Sequence, residues 1–136
     1  MTDTGMEALT EPYYAALRRG ELVVQHCKAC GRNIMYPRHV CPFCYEADLS
    51  WTQVSGAGVL HSFAVQRSGP PTGFDDDLPY AVGVVKLDDG VQLLGRLWPD
   101  DDGEWDGYAC DGRVEFHGAT GEEIERRPVA WFRRSP

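Results

Sequence analysis

The sequence predicts a mainly β fold: an N-terminal helix, a small ribbon built on four cysteines, and a five-stranded barrel of Greek-key type. Three observations carry this. Two C-x-x-C pairs, Cys27/Cys30 and Cys41/Cys44, are separated by ten residues. About five short apolar runs, with glycine at their bends, follow between Gly58 and Phe132. Ahead of both lies one stretch with helix start and stop signals.

The helix is expected over Thr10–Gly20. Thr10 can cap it, Pro12 suits a first turn, and Gly20 after Arg18 and Arg19 supplies a stop. Tyr13, Tyr14 and Leu17 give it an apolar side, and a helix this short must dock on something to be stable. Leu22–Gln25 and Asn33–Tyr36 are the expected strands of the ribbon hairpin. The expected boundaries are a helical segment over residues 1–21, a zinc ribbon over 22–48 and the barrel over 49–136.

The cysteines are the strongest chemical signal. Two facing C-x-x-C knuckles supply four thiolates at the corners of a tetrahedron, the arrangement Zn²⁺ prefers. Four sulfurs close the site, leaving no position for water or substrate, so the expected zinc is structural. Iron in the same ligands would make an electron carrier, and softness alone does not separate the two metals. Disulfides would need an oxidising compartment, yet MTDTGMEALTEPYY has neither the basic start nor the apolar run of a signal peptide. A cytoplasmic location is expected. A redox dithiol would need one C-x-x-C beside a βαβ pattern.

The barrel strands are expected at Gly58–Val65, Tyr80–Leu87, Val91–Leu97, Arg113–Phe116 and Val129–Phe132, with Asp89-Gly90 turning the second into the third. Ser68–Leu78 and Pro99–Gly107 read as polar loops. This pattern suits an OB-fold. Charge is uneven: up to Ser68 there are six basic and six acidic residues, and beyond it seven and fifteen, for a net −8. An acidic barrel repels nucleic-acid phosphate. The apolar runs are too short to cross a bilayer.

Taken together, CKACGRNIMYPRHVCPFC, LSWTQVSGAGVLHSF and PYAVGVVKLDDGVQLLGRL resemble the acyl-CoA-associated OB-fold family, also termed domain of unknown function 35. Its members carry a rubredoxin-like zinc ribbon before an OB barrel. The likeness runs from Thr10 to about Leu97, and its most specific parts are CxxCG…YPR…CPxC, W-x-x-x-S-G-x-G and PY…V-x-L-D-x-G. The resemblance implies a non-catalytic partner of a thiolase-like enzyme (a thiolase, aldolase or acyltransferase) in a hetero-oligomer that binds or channels acyl-CoA.

Candidate CoA contacts are Lys28, Arg32, Tyr36, Arg38 and Tyr80. The plainer reading of the three cations is that they offset the charge of a zinc tetrathiolate, about −2. Tyr36 and Tyr80 can equally terminate elements. Tyr13, Tyr14 and Leu17 offer either a partner-docking face or the side of the helix that packs on the barrel. His26 and His39 flank ligand cysteines but are not needed as ligands. His61 and His117 read as strand residues. Cys110 is expected to be a buried, inert thiol. The runs Asp75–Asp77 and Asp100–Asp102 lack calcium-loop spacing and read as solvated loops. Ser55-Gly56-Ala57-Gly58 reads as a bend at the first barrel strand. No nucleophile–base arrangement stands out, so no catalytic residue is assigned. The rival reading is a single-stranded nucleic-acid binder, for which Phe63, Arg67, Tyr80, Lys86 and Arg96 are the available residues.

Overall fold

In the computed structural model, residues 2–68, 78–120, 124 and 129–135 are described, with side chains from residue 9 onward. Helix α1 spans Thr2–Arg18. It starts eight residues earlier than expected, so Thr10 is not its cap and Pro12 lies inside it. The stop is as expected. Gly20 adopts φ 79°, its N–H donates to Leu17 O at 3.0 Å, and Glu21 N–H donates to Ala16 O at 2.9 Å. These crossed bonds satisfy the last carbonyls, and the left-handed turn they need costs glycine little. The buried face of α1 is Tyr13, Ala16 and Leu17.

The ribbon is a three-stranded antiparallel sheet in the order β2-β1-β3. Strand β1 is Val23–Cys27, β2 is Asn33–Ile34 and β3 is Leu49–Gln53. Its third strand was not foreseen. Leu49–Gln53 pairs with β1 from Cys27↔Leu49 to Val23↔Gln53, so the chain completes this sheet before entering the barrel. Strand β2 is shorter than expected because Tyr36 turns away to the barrel, where Leu94 N–H donates to its hydroxyl at 2.7 Å. Asn33 makes a second bridge, its side-chain N–H reaching Asp89 O at 2.9 Å.

Five strands close the barrel: β4 (Gly58–Gln66), β5 (Tyr80–Leu87), β6 (Gln92–Leu97), β7 (Arg113–Phe116) and β8 (Trp131–Arg134). Their order is β4-β5-β6-β8-β7, and β4 pairs with β7 to close the ring. All pairs are antiparallel except β6 with β8, the arrangement of an OB-fold. All five strands fall where the alternation places them, with β8 shifted two residues toward the C-terminus. The glycine step before β4 bends the chain as expected: Gly56 holds φ 82° and accepts a hydrogen bond from Phe116 N–H, while a side chain at Gly58 would collide with the backbone of Lys86.

Leu60, Val85, Leu93, Leu97, Val114 and Phe132 fill the interior. The loop over 99–107 is polar only on its outside. Trp105 turns inward at 5% exposure, its ring N–H donating to Leu97 O at 2.9 Å, and Tyr108 donates to Trp98 O at 2.6 Å. These rings extend the core beyond the strands, since each carries a large apolar surface and a polar group that finds a backbone partner. Tyr13, Leu17, Leu22 and Val24 belong to the same apolar cluster as the barrel residues.

Leu17 is 1% exposed. Leu17→Ala is therefore expected to lower the stability of the isolated, metal-loaded chain by about 2–5 kcal/mol, read by chemical denaturation. An unchanged midpoint would mean the helix does not dock.

Candidate metal centre and its surroundings

The two knuckles are built alike. Cys27 N–H donates to Arg32 O and Gly31 N–H to Cys27 O; Cys41 N–H donates to Glu46 O and Tyr45 N–H to Cys41 O, all at 2.8–2.9 Å. The turn needs a left-handed residue directly after the second cysteine. Gly31 fills this place with φ 81° and Tyr45 with φ 65°. For a residue with a Cβ this conformation costs about 1–2 kcal/mol.

The four sulfurs of Cys27, Cys30, Cys41 and Cys44 lie within 4.8 Å of one another. Cys27 Sγ is 3.6 Å from Cys44 Sγ, and Cys30 Sγ is 3.7 Å from Cys41 Sγ. A tetrahedral zinc with bonds of about 2.3 Å sets its sulfurs about 3.8 Å apart, so the donor set fits. Electrostatics point the same way. Desolvation pushes the Cys41 thiol up, but backbone N–H groups of Cys44 and Phe43 outweigh it and bring the group down to about 6. At Cys44 the N–H of Glu46 favours the thiolate, yet desolvation and the neighbouring sulfurs push it up to about 12. One thiolate forms readily and the next are opposed by it; a divalent cation removes that opposition. The centre is a structural zinc site. With all four positions filled by sulfur, it contributes folding energy rather than Lewis-acid chemistry.

Among the described residues no other group of three or more potential ligands gathers. His26 is occupied by Asn33, its Nδ1 lying 2.8 Å from Oδ1, and His39 is exposed. Asp75–Asp77 lie outside the described residues. The run Asp100–Asp102 is tied into the chain: Arg134 pairs with Asp100 at 2.8 Å, and Asp102 accepts from Glu104 N–H at 2.9 Å. His61 lies in β4 and His117 just past β7. Cys110 is exposed, not buried, because it sits on the turn outside the barrel that Gly112 N–H closes onto Ala109 O.

Lys28, Arg32 and Arg38 are all exposed on the ribbon. The Arg32 guanidinium lies 4.5 Å above the Phe43 ring. Arg38 is fixed through its backbone, where the buried Gln25 side chain accepts from its N–H at 2.7 Å and donates to its carbonyl at 3.0 Å. Tyr36 is half exposed, with its hydroxyl held by Leu94. Tyr80 is separate from this group; it is buried at the start of β5, with the Arg96 guanidinium 4.1 Å from its ring centre. Tyr13 and Leu17 are spent on internal packing, burial pushing the Tyr13 phenol well up, and only Tyr14 keeps partial exposure. Sequence reading passed over Phe43 and Tyr45, which are 54% and 78% exposed. The available signal was the tyrosine standing where the first knuckle has glycine.

Residues 15–50 match the rubredoxin-like zinc ribbon domain of ChsH2, and residues 51–118 match the ChsH2 C-terminal OB-fold domain. A DUF35 domain-containing scaffold protein of Methanothermobacter thermautotrophicus is 33% identical over 82 residues, 59% of this chain and 60% of that protein. A protein of Thermomonospora curvata named probable enoyl-CoA hydratase alpha subunit is 31% identical over 85 residues, 62% of this chain but 26% of that one. The chain thus spans less than two thirds of the length of either relative. Among solved structures, one titled Ltp2-ChsH2(DUF35) aldolase superposes with a TM-score of 0.74 over 92% of this chain and 93% of that one, at 24% identity.

The purified chain is expected to carry about one zinc, by metal analysis. Cys41→Ser should unfold the ribbon and empty the site, and acidification should release the metal as protons compete for the thiolates. Iron with visible absorbance in place of zinc would move the reading to electron transfer.

Proposed function

Because the chain belongs to the ChsH2 family of zinc-ribbon and OB-fold proteins, we propose that it is the non-catalytic accessory subunit of an acyl-CoA-processing complex. One observation carries the reading. The only metal-ligand cluster among the described residues is a closed four-sulfur site, which holds structure and leaves no open position on the metal for substrate. The names of the relatives agree: one is a scaffold protein, one a subunit of an enoyl-CoA hydratase, and the superposable structure is titled as an aldolase of two named components.

In this reading the reacting groups sit on a thiolase-fold partner, and the ribbon and barrel hold that partner in its active form. Lys28, Arg32 and Arg38, exposed on the ribbon, are the groups available to a CoA phosphate, with Tyr36 beside them. Tyr80 is buried against Arg96 and stands apart from these groups. The nucleic-acid reading has less support. Arg67 is paired with Glu104, and Tyr80 and Arg96 are buried against each other, so three of its five residues are already committed. Among the described residues no helix is long and apolar enough to cross a membrane.

The test is co-expression with a thiolase-fold enzyme that handles acyl-CoA, followed by gel filtration. A stable complex, burying more than roughly 1,000 Å² in total, is expected. The chain alone should not turn over acyl-CoA, and Cys110→Ser should leave the rate of the complex unchanged. Separate elution with the enzyme fully active alone would sink the proposal. So would tight binding of single-stranded DNA with a steep salt dependence, in favour of the rival.

A further inference from the structure

The four ligand cysteines are not equally sheltered. Cys27 and Cys41 are fully buried, Cys44 is half-buried, and Cys30 is exposed. Its place in the first knuckle accounts for this. Cys30 stands on the turn that Gly31 N–H closes onto Cys27 O, and every residue from Lys28 to Arg32 is exposed. A side chain at Gly31 would meet nothing within 4 Å, so nothing roofs this corner. One sulfur-bearing residue of an otherwise closed site is thus presented to solvent.

A second sulfur lies within reach of it, Cys41 Sγ at 3.7 Å from Cys30 Sγ. The knuckles have little else to hold them if these two are lost as ligands. Their apolar cluster is Cys27, Ile34 and Cys41, with Cys44 and Leu49 packed against it, so most of it is the ligand set itself. It is separate from the cluster shared by the helix and the barrel. Units with separate cores open separately. Loss of the metal is therefore felt at the knuckles, while the barrel keeps its own burial.

We propose that the ribbon is a redox-sensitive switch, with Cys30 as the sulfur that a hydroperoxide attacks first and Cys41 as its resolving partner. The Cys30 thiolate attacks the peroxide: an S–O bond forms, the O–O bond breaks, and the released hydroxide takes a proton to become water. The Cys41 thiolate then attacks the sulfenic sulfur. An S–S bond forms, the S–O bond breaks, and a second hydroxide leaves and is protonated. Two electrons pass from the two sulfurs to the peroxide. Both sulfurs are withdrawn as ligands, and Cys27 and Cys44 alone no longer close a tetrahedral site. A dithiol reductant returns both thiolates by exchange. Cys110 is also exposed but is not one of the four converging sulfurs, so its oxidation removes no ligand.

The test treats the full zinc-loaded chain with hydrogen peroxide and follows released zinc with a chromogenic chelator. At low peroxide, dimedone should trap a sulfenic acid on Cys30 and on none of the other three ligands. At higher peroxide the zinc should leave as a Cys30–Cys41 disulfide appears in peptide mass mapping. Hydrogen exchange should then show the knuckles open and strands β4–β6 still protected. Cys30→His keeps a zinc ligand that forms no disulfide, and should slow release about tenfold or more. Cys110→Ser should release zinc as fast as the wild type. First modification at Cys27, Cys41 or Cys44, or a disulfide that omits Cys30 or Cys41, would overturn the proposal. So would wild-type release rates from zinc-loaded Cys30→His, or barrel protection lost together with the ribbon. The wild-type mapping decides the matter even where Cys30→His does not load zinc.

Discussion

Mutual repulsion among four sulfurs is the constraint on which the rest of the ribbon depends. Cys27, Cys30, Cys41 and Cys44 converge within 4.8 Å. Their backbones aim N–H groups at the sulfurs, so ionisation is favoured locally and opposed collectively. A divalent cation resolves that conflict while keeping all four sulfurs ionised. Around it the ribbon has a core of just Cys27, Ile34 and Cys41, with Cys44 and Leu49 packed against it. That is too little apolar area to hold a fold by itself, and metal coordination replaces the missing burial.

The ribbon is not an independent appendage. Its sheet begins at Val23, directly after the turn that ends α1, and Leu22 and Val24 are buried with the barrel interior. Two polar bridges add orientation: Tyr36 to the backbone of β6, and Asn33 to the hairpin at Asp89. Each contributes about 1 kcal/mol at most. Their value is geometric, since they fix which side of the knuckles faces outward. The barrel rim is managed differently. Arg113 pairs with Asp88, Arg133 with Glu115 and Arg134 with Asp100. Exposed pairs of this kind contribute little stability. They do set a carboxylate beside each of these three arginines.

Sequence and structure part company in instructive places. Gly20 was legible as a stop because a left-handed residue after a helix is a local requirement. The start was not, since Pro12 reads as a first turn and Gly5 interrupts the run, although Thr2, Asp3 and Thr4 are residue types that cap helices. Trp105 looked like part of a polar loop because its neighbours Asp101, Asp102, Glu104 and Asp106 are charged. One indole turned inward outweighs them, as carboxylates at a surface lose nothing by staying there. Strand β3 was assigned to the barrel side of the chain because its pairing partner, β1, lies more than twenty residues back. Pairing over that distance leaves no mark on local periodicity.

By itself the sequence determined the ligand set, the five barrel strands and the bend at Gly56–Gly58. Each of these depends on residue type and short-range spacing: thiolate softness, alternation of side chains along a strand, and the room a missing Cβ leaves. Only the tertiary structure decided which aromatic residues are spent inside and which are displayed. Tyr13 and Tyr80 are buried, Tyr36 spans two sheets, and Phe43 and Tyr45 face outward. A tyrosine's sequence context does not record this, because burial is set by surfaces that meet only when the distant elements have packed.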